Sequence, residues 1–175
     1  MIPVLSSLHP TLVGPPRIEI LAPSHEGEYT GLLLRLDQPS RLCRYRAAVN
    51  DLFLERHSRQ AFRTAGFLAG AFVGRDLCGV AEAYDIAHDR SAEAAFVVEA
   101  AFRGLGFGTA LLDAALDWAR HAERRSLRLL FAPGNVPMRR MTCRAGGRLA
   151  AVEGELEATI ALSAEPVDGA SRRPA

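Results

Sequence analysis

Residues 97–109, VVEAAFRGLGFGT, are the most informative part of the sequence, because an apolar run there meets three closely spaced glycines. The apolar run is typical of a strand, and the residues after the glycines have helical spacing. Gly104, Gly106 and Gly108 carry no Cβ atom, so the backbone at this junction can approach a ligand closely. The free N–H groups of the first helical turn and the helix dipole favour an anion at this position. The stretch therefore predicts a loop that binds a pyrophosphate.

Two other phosphate-binding loops fit this stretch less well. A dinucleotide-binding fingerprint, G-x-G-x-x-G/A counted from Gly104, places its last position on Thr109. A Walker A loop needs a lysine, and the chain has none, because all 21 of its basic side chains are arginines. The remaining alternative is a turn that only reverses the chain, but three glycines would weaken the start of a helix without another benefit.

The residues after the loop predict a long amphipathic helix. Apolar residues recur from Phe107 to Ala122 at spacings of 4, 4, 3 and 4, which is one helical stripe. This helix, residues 107–124, would connect a strand at 92–98 to a strand at 127–132. Such a crossover requires the two strands to be parallel.

Alternation, caps and turns predict the other elements. They are a strand at 17–21, a helix at 26–36 capped by Ser24 and broken at 38–40, an arginine-rich helix at 41–61, a hairpin of strands at 66–73 and 77–86, a short helix at 136–145 stopped by Gly146 and Gly147, and strands at 148–152 and 157–162. The order β-α-α-β-β-β-α-β-α-β-β predicts an α/β (mixed α+β) fold, with a mixed sheet and helices on its faces.

Length and charge limit the domain organisation and the partners. The chain has 175 residues, which is enough for one domain. We expect an irregular arm at residues 1–16, a single domain at 17–162 and a disordered tail at 163–175. The formal net charge of +1 indicates no nucleic-acid or anionic-lipid partner. No run of 18 apolar residues and no secretory signal pattern is present, so we predict no membrane-spanning helix.

The cysteines favour a reducing, cytoplasmic setting. Cys43, Cys78 and Cys143 are odd in number and widely spaced, which fits neither a disulfide framework nor a zinc site. We expect each of them to be a small buried residue.

The glycine-rich stretch resembles the signature of the GNAT superfamily of acyl-CoA N-acyltransferases. That signature, Arg/Gln-x-x-Gly-x-Gly/Ala, is matched at every fixed position from Arg103 to Gly108. A second family element, an Asn that opens the helix after the fifth strand and a Gly that ends it, is met by Asn135 and Gly146. The resemblance covers residues 17–162. Three shorter pieces look like the acetyltransferase domain of bacterial protein-lysine acetyltransferases, namely PSR with RYR (39–41 and 44–46), AE (92–93) and NVPM (135–138).

The resemblance implies a GNAT-like fold that uses acetyl-CoA as co-substrate and no metal. In that fold a mostly antiparallel mixed sheet is splayed between strands 4 and 5, and the pantetheine arm lies in the gap. A backbone N–H of Val97 or Val98 would polarise the thioester carbonyl, as in an oxyanion hole. One or two of the eight arginines between 120 and 148 would reach the ribose phosphate. The implied coenzyme-binding residues are Phe96, Val97, Val98, Arg103, Gly104, Leu105, Gly106, Phe107, Gly108, Thr109 and Asn135.

The implied reaction is direct transfer of an acetyl group to an amine, which must be neutral to attack. A lysine-like amine has a pKa of about 10.4, so deprotonating it at pH 7 costs roughly 4–5 kcal/mol and calls for a general base. We expect Glu93 to be that base, with Glu82 on the preceding strand and His88 in a loop as lesser candidates. Many family members have a tyrosine acid where this chain has Thr142, so we predict that no dedicated acid protonates the leaving thiolate.

Two other classes of function remain open at this stage. A non-catalytic acyl-CoA-binding sensor would account for the missing tyrosine, and a nucleotide-binding interaction domain would account for the loop alone. The acceptor, a small molecule or a protein lysine, would be shaped by residues 36–62 and 85–91. The sequence is silent on oligomeric state, and a homodimer is left open.

Overall fold

A seven-stranded mixed sheet forms the centre of the fold in the computed structural model, which describes residues 14–87 and 89–162. Its spatial order is β1-β2-β3-β4-β5-β7-β6, and all neighbours are antiparallel except β4 and β5, which are parallel as predicted. Most of the predicted arm, the predicted tail and His88 lie outside the described residues. The strands are β1 (Arg17–Ile20), β2 (Phe67–Val73), β3 (Asp76–Ile86), β4 (Ser91–Val98), β5 (Ser126–Phe131), β6 (Arg148–Val152) and β7 (Glu155–Ala161).

Helices cover both faces of this sheet, which confirms the predicted α/β architecture. None of those in the described ranges combines the length and hydrophobicity needed to cross a bilayer. They are α1 (Glu26–Arg35), α2 (Gln38–Tyr45), α3 (Asp51–Thr64), α4 (Phe107–His121) and α5 (Val136–Arg144), with single 3₁₀ turns at Pro23–His25 and Ala100–Phe102.

The sequence prediction is wrong about the segment before β2, where three helices stand in place of two. Residues 38–40 begin α2 rather than break a helix. The Asp37 carboxylate accepts a hydrogen bond from the Ser40 N–H at 2.8 Å, and Pro39 lies in the first turn, where no backbone donor is needed. Arg46, at φ 61°, ends α2 in the left-handed region, and Asn50 then caps α3.

The two faces of the sheet are packed differently. On the α4 face the sheet presents small side chains such as Ala81, Ala83 and Ala94, and Phe107 of α4 is fully buried against them. On the other face α1 and α3 supply larger groups, among them Leu33 and Leu54. Full burial of one such side chain stabilises the fold by about 1.5–3 kcal/mol, so the helices hold the sheet from both sides.

The splay between β4 and β5 is confirmed. The two strands pair only at Ser91–Ser126, Ala92–Leu127 and Glu93–Arg128. Beyond Glu93 they separate, although β4 continues to Val98 and β5 to Phe131. The backbone groups on that edge of β4 therefore face a gap instead of a neighbouring strand.

The expectation for the cysteines is correct for one of the three. Cys78 is buried in β3, whereas Cys43 and Cys143 are exposed. The reason is their location, because α2 and α5 each pack only one side against the sheet and leave the other in solvent.

Candidate active site

A cleft of about 660 Å³ opens where β4 and β5 separate. Its walls are residues 94–98 of β4, the glycine loop (residues 103–109), one side of α5 and one side of α2. A smaller cavity of about 300 Å³ on the other side of α2, beside Leu36 and Val49, contacts none of these walls except α2. The larger cleft is therefore the candidate site, because the loop predicted to bind phosphate opens into it.

The glycine loop has a backbone that requires glycine. Gly104 and Gly106 have φ values of +75° and +89°, and Gly106 is the N-cap of α4. A Cβ atom at either position would meet nothing within 4 Å, so open space lies in front of the loop. The N–H groups of the first turn of α4 have no partners within the helix, and Gly108 and Thr109 line the cleft. This arrangement fits an anion such as a pyrophosphate.

Arg103 ties the end of β4 to α2. Its Nε donates to the Val98 carbonyl at 3.0 Å, and its Nη2 donates to Ser40 Oγ at 2.7 Å. The Ser40 hydroxyl in turn donates to Asp37, and hydrogen bonds from Ser40 hold the pKa of that carboxyl below its usual range. One side of Arg103 thus orients the Val98 peptide while the residue also lines the cleft.

The backbone amides of β4 alternate between its two edges. The Glu99 N–H donates to the Cys78 carbonyl on β3 at 2.9 Å. Because successive amides of a strand point in opposite directions, the Val97 N–H also faces β3, whereas those of Phe96 and Val98 face the cleft. The sequence left open whether the Val97 or the Val98 N–H donates to the thioester carbonyl. Only the Val98 N–H faces the cleft.

Asn135 and Thr142 have defined roles in α5. The Asn135 side chain caps the helix by accepting from the Met138 N–H at 3.2 Å, and its Nδ2 lies 3.4 Å from Cys43 Sγ on α2. Thr142 is fully buried, with its hydroxyl 2.9 Å from the Met138 carbonyl. That hydroxyl is hydrogen-bonded within its own helix.

The two candidate carboxylates lie on the same face of the sheet in different surroundings. Glu93 is exposed, pairs with Tyr84 in β3 and is the last β4 residue paired to β5. Glu82 lies in β3, and only 2% of its side chain is exposed. Burial raises the pKa of Glu82, while a hydrogen bond from Tyr84 lowers it.

Sequence reasoning missed two of the three side chains that hold Glu82. The Arg44 guanidinium donates to one carboxylate oxygen at 2.8 Å, and His57 Nε2 lies 2.9 Å from the other. Burial, together with the charge of Arg44, lowers the pKa of His57 to about 4, so His57 is neutral at pH 7. Arg44 and His57 lie on different helices, so no local spacing connects them. The available signal was the carboxylate of Glu82 within the otherwise apolar run from Leu77 to Ala83.

Most of the eight arginines between 120 and 148 are not at the cleft. Arg124 pairs with Asp85, and Arg128 pairs with Asp89. Both pairs lie near the end of the sheet where β4 and β5 are still hydrogen-bonded, away from the cleft. Arg140 and Arg144 of α5 line the cleft and are therefore the members of this set placed to meet a phosphate.

The comparisons with known proteins agree with this fold. Residues 33–146 match the sequence profile of the acetyltransferase (GNAT) family, and the chain belongs to that family. Comparison with curated proteins gives no significant match.

Solved structures resemble the chain over most of its length. The GNAT domain of S. lividans PAT superposes with a TM-score of 0.73 at 19% identity, over 84% of this chain and 90% of that one. The yncA protein of Salmonella typhimurium, solved with its cofactor acetyl-CoA, gives 0.68 at 14% identity over 90% and 100%. A GNAT-family acetyltransferase from Streptococcus pneumoniae gives 0.62 at 16% identity over 82% and 96%. These likenesses show the fold.

Proposed function

We propose that the protein is an N-acetyltransferase that transfers an acetyl group from acetyl-CoA to a primary amine by direct attack. The observation that carries this proposal is the cleft itself, which has an unpaired strand edge along one wall and a glycine-rich helix start at its end. Membership of the GNAT family supports the same reaction class.

The coenzyme is proposed to lie along the cleft, with its pyrophosphate on residues 103–109. The pantetheine arm then runs beside Phe96, Val97 and Val98 and bonds to the amides that face the gap. Asn135 contributes by opening α5 on the opposite wall. Arg140 and Arg144, on the same helix, are the proposed partners of the ribose phosphate.

In the transfer step the amine nitrogen forms a bond to the thioester carbonyl carbon. The Val98 N–H stabilises the negative charge that develops on the carbonyl oxygen. Glu93 takes the proton from the amine, directly or through one water molecule. The C–S bond then breaks, and coenzyme A leaves as a thiolate or takes a proton from water.

Glu93 is a better candidate for the base than Glu82. A base must reach the acceptor in the cleft, and Glu93 is exposed at the point where the strands part. Glu82 is buried, and its carboxylate oxygens are already bonded to neighbouring side chains, so they do not face an amine in the cleft.

A non-catalytic acyl-CoA sensor is the second candidate. Two observations favour it: the Thr142 hydroxyl is bonded within its own helix, and a carboxylate as exposed as Glu93 is also common on an ordinary surface. The two candidates differ in turnover and not in coenzyme binding.

The test is acetyl-CoA binding by calorimetry and thiol release with an amine panel, in the wild type and in Gly106→Glu. Both the φ of +89° and the new carboxylate oppose a bound pyrophosphate, so we expect acetyl-CoA affinity to fall by at least about 100-fold. The matched control is Gly154→Glu, because Gly154 has φ +83° and open space but lies in the β6–β7 turn, away from the cleft.

The possible results separate the candidates. Undiminished affinity in Gly106→Glu would contradict the binding site, and stabilisation by ATP or NAD but not by acetyl-CoA would favour a nucleotide-binding domain. Acetyl-CoA binding without turnover on any amine would favour the sensor.

A further inference from the structure

Arg44 occupies a defined place on the wall of the cleft. It lies one helical turn after Ser40 on the same side of α2, about 6 Å further along the helix. Ser40 is linked through Arg103 to Val98, and Arg44 is bonded to Glu82, which pairs with Ala95. Arg44 therefore lies beside Ala95, between Val98, where we place the thioester, and Glu93, where the strands part.

The guanidinium of Arg44 is held in position by its neighbours. Its Nη2 donates to Glu82, and its central carbon lies 5.0 Å from the centre of the Tyr45 ring. Glu82 is itself fixed by His57 and Tyr84. Four groups from α2, α3 and β3 thus determine the orientation of one cationic side chain.

The remaining donors of Arg44 are available to a ligand. A guanidinium has five N–H groups, and Glu82 is its one hydrogen-bond partner among the described residues. The other nitrogens are not enclosed by protein, and the side chain is 13% exposed and lines the cleft. A buried ion pair is weak evidence for a stabilising role, so this arrangement calls for a different explanation.

We propose that Arg44, positioned by Glu82, binds a carboxylate carried into the transfer site by a reactant. This inference rests on the proposed function and narrows its substrate class. A guanidinium fork suits a carboxylate, and Glu93 on the same face suits an ammonium group. An acceptor with both groups, such as a free amino acid, complements this pair. A carboxylate on the acyl group, as in succinyl-CoA, has the same chemistry.

The experiment compares ligands that differ only in the carboxylate. Glycine, L-methionine, L-glutamate and L-phenylalanine are each titrated calorimetrically against their amides, with the full-length protein alone and with coenzyme A. Butyryl-CoA, which has a methyl group in place of the carboxylate, and succinyl-CoA are compared in the same way. We expect the acids, or succinyl-CoA, to bind about 10- to 100-fold more tightly than their neutral counterparts. Tighter binding of the acids identifies the acceptor as the source of the carboxylate, and tighter binding of succinyl-CoA identifies the acyl group.

Variants of Arg44 separate recognition from packing. Arg44→Lys keeps a cation beside Glu82 but removes the fork, so we expect an unfolding temperature near that of the wild type and loss of most of the preference. Arg44→Gln should lose the preference and also stability, because Glu82 is left buried without its cation. Arg59→Gln on the exposed side of α3 is the control and should change neither.

Three results would overturn this inference. The first is equal binding of every acid and its amide together with equal binding of the two thioesters. The second is an unchanged preference for the carboxylate ligands in Arg44→Lys. The third is an equal loss of affinity for acids and amides in both Arg44 variants. Failure of the proposed function appears separately, as absence of acetyl-CoA binding or of thiol release, while the comparison of acids with amides still reports on Arg44.

Discussion

The two ends of the junction between β4 and β5 show how one pair of strands serves two purposes. At the closed end, Ser91, Ala92 and Leu127 are paired or buried, and the strands form ordinary sheet. At the open end, from Ala94 to Val98, β4 no longer pairs with β5 and borders the cleft. We therefore expect the closed end to determine the stability of the fold, and the open end to determine acetyl-CoA binding and catalysis.

The largest expected effect is at the boundary between the two ends. Glu93→Gln should lower kcat about 100- to 10,000-fold, because the amine loses its base. Acetyl-CoA affinity and unfolding temperature should stay close to the wild type, since Glu93 is exposed and lies outside the glycine loop. Thiol-release kinetics and calorimetry measure the two quantities, with Glu153→Gln in the β6–β7 turn as the control. An unchanged kcat would place the base elsewhere or remove it from the mechanism.

The closed end should respond in the opposite way. Leu127→Ala removes a fully buried side chain and should lower the free energy of unfolding by about 2–5 kcal/mol. Acetyl-CoA affinity of the folded protein should change by less than about twofold, because Leu127 does not line the cleft. Urea unfolding provides the measurement, and Leu52→Ala, at a half-exposed site on α3, should change stability by only about 0.5 kcal/mol. A large loss of affinity would mean that the two ends are coupled.

The smallest expected effect concerns the polar cluster beside the open end. The pKa of His57 is about 4 in the fold and 6.5 when the residue is unperturbed. Between pH 6.5 and pH 4 the unfolded chain therefore binds more protons, and stability falls as the pH falls. Relative to His57→Gln, the wild type should lose up to about 2–3 kcal/mol of unfolding free energy across that window. Urea unfolding at both pH values tests this, and a constant difference would contradict burial of a neutral His57.

Elements with a strong local pattern could be predicted from the sequence. The β2–β3 hairpin follows from two apolar runs around Gly74, and α4 follows from a stripe that begins at Phe107. The sequence prediction misses the start of α2, because a proline at position 39 is typical of a helix break, whereas the Asp37 cap makes it part of a first turn. A proline at a helix start and one at a helix end look alike without the cap geometry.

The candidate site was predictable only in part. The bend of the glycine loop and the cap that Asn135 provides to α5 follow from neighbouring residues, so the sequence indicates both, whereas the role of Glu93 stays a prediction. The contacts of Glu82 with Arg44 and His57 join residues 38 and 25 positions apart. Such contacts depend on how helices pack on the sheet, and no spacing in the chain records that packing.

Local patterns in the sequence account for the order of the elements along the chain, the helix that crosses from β4 to β5, and the glycine loop that begins this helix, because each of these depends on neighbours within a turn or two of the chain. The packed fold is needed to establish which edge of β4 is left open, which amides face the gap and which arginine meets Glu82. These features arise from strand register and helix packing, which sum weak contacts between distant residues and become definite only when the whole sheet has formed.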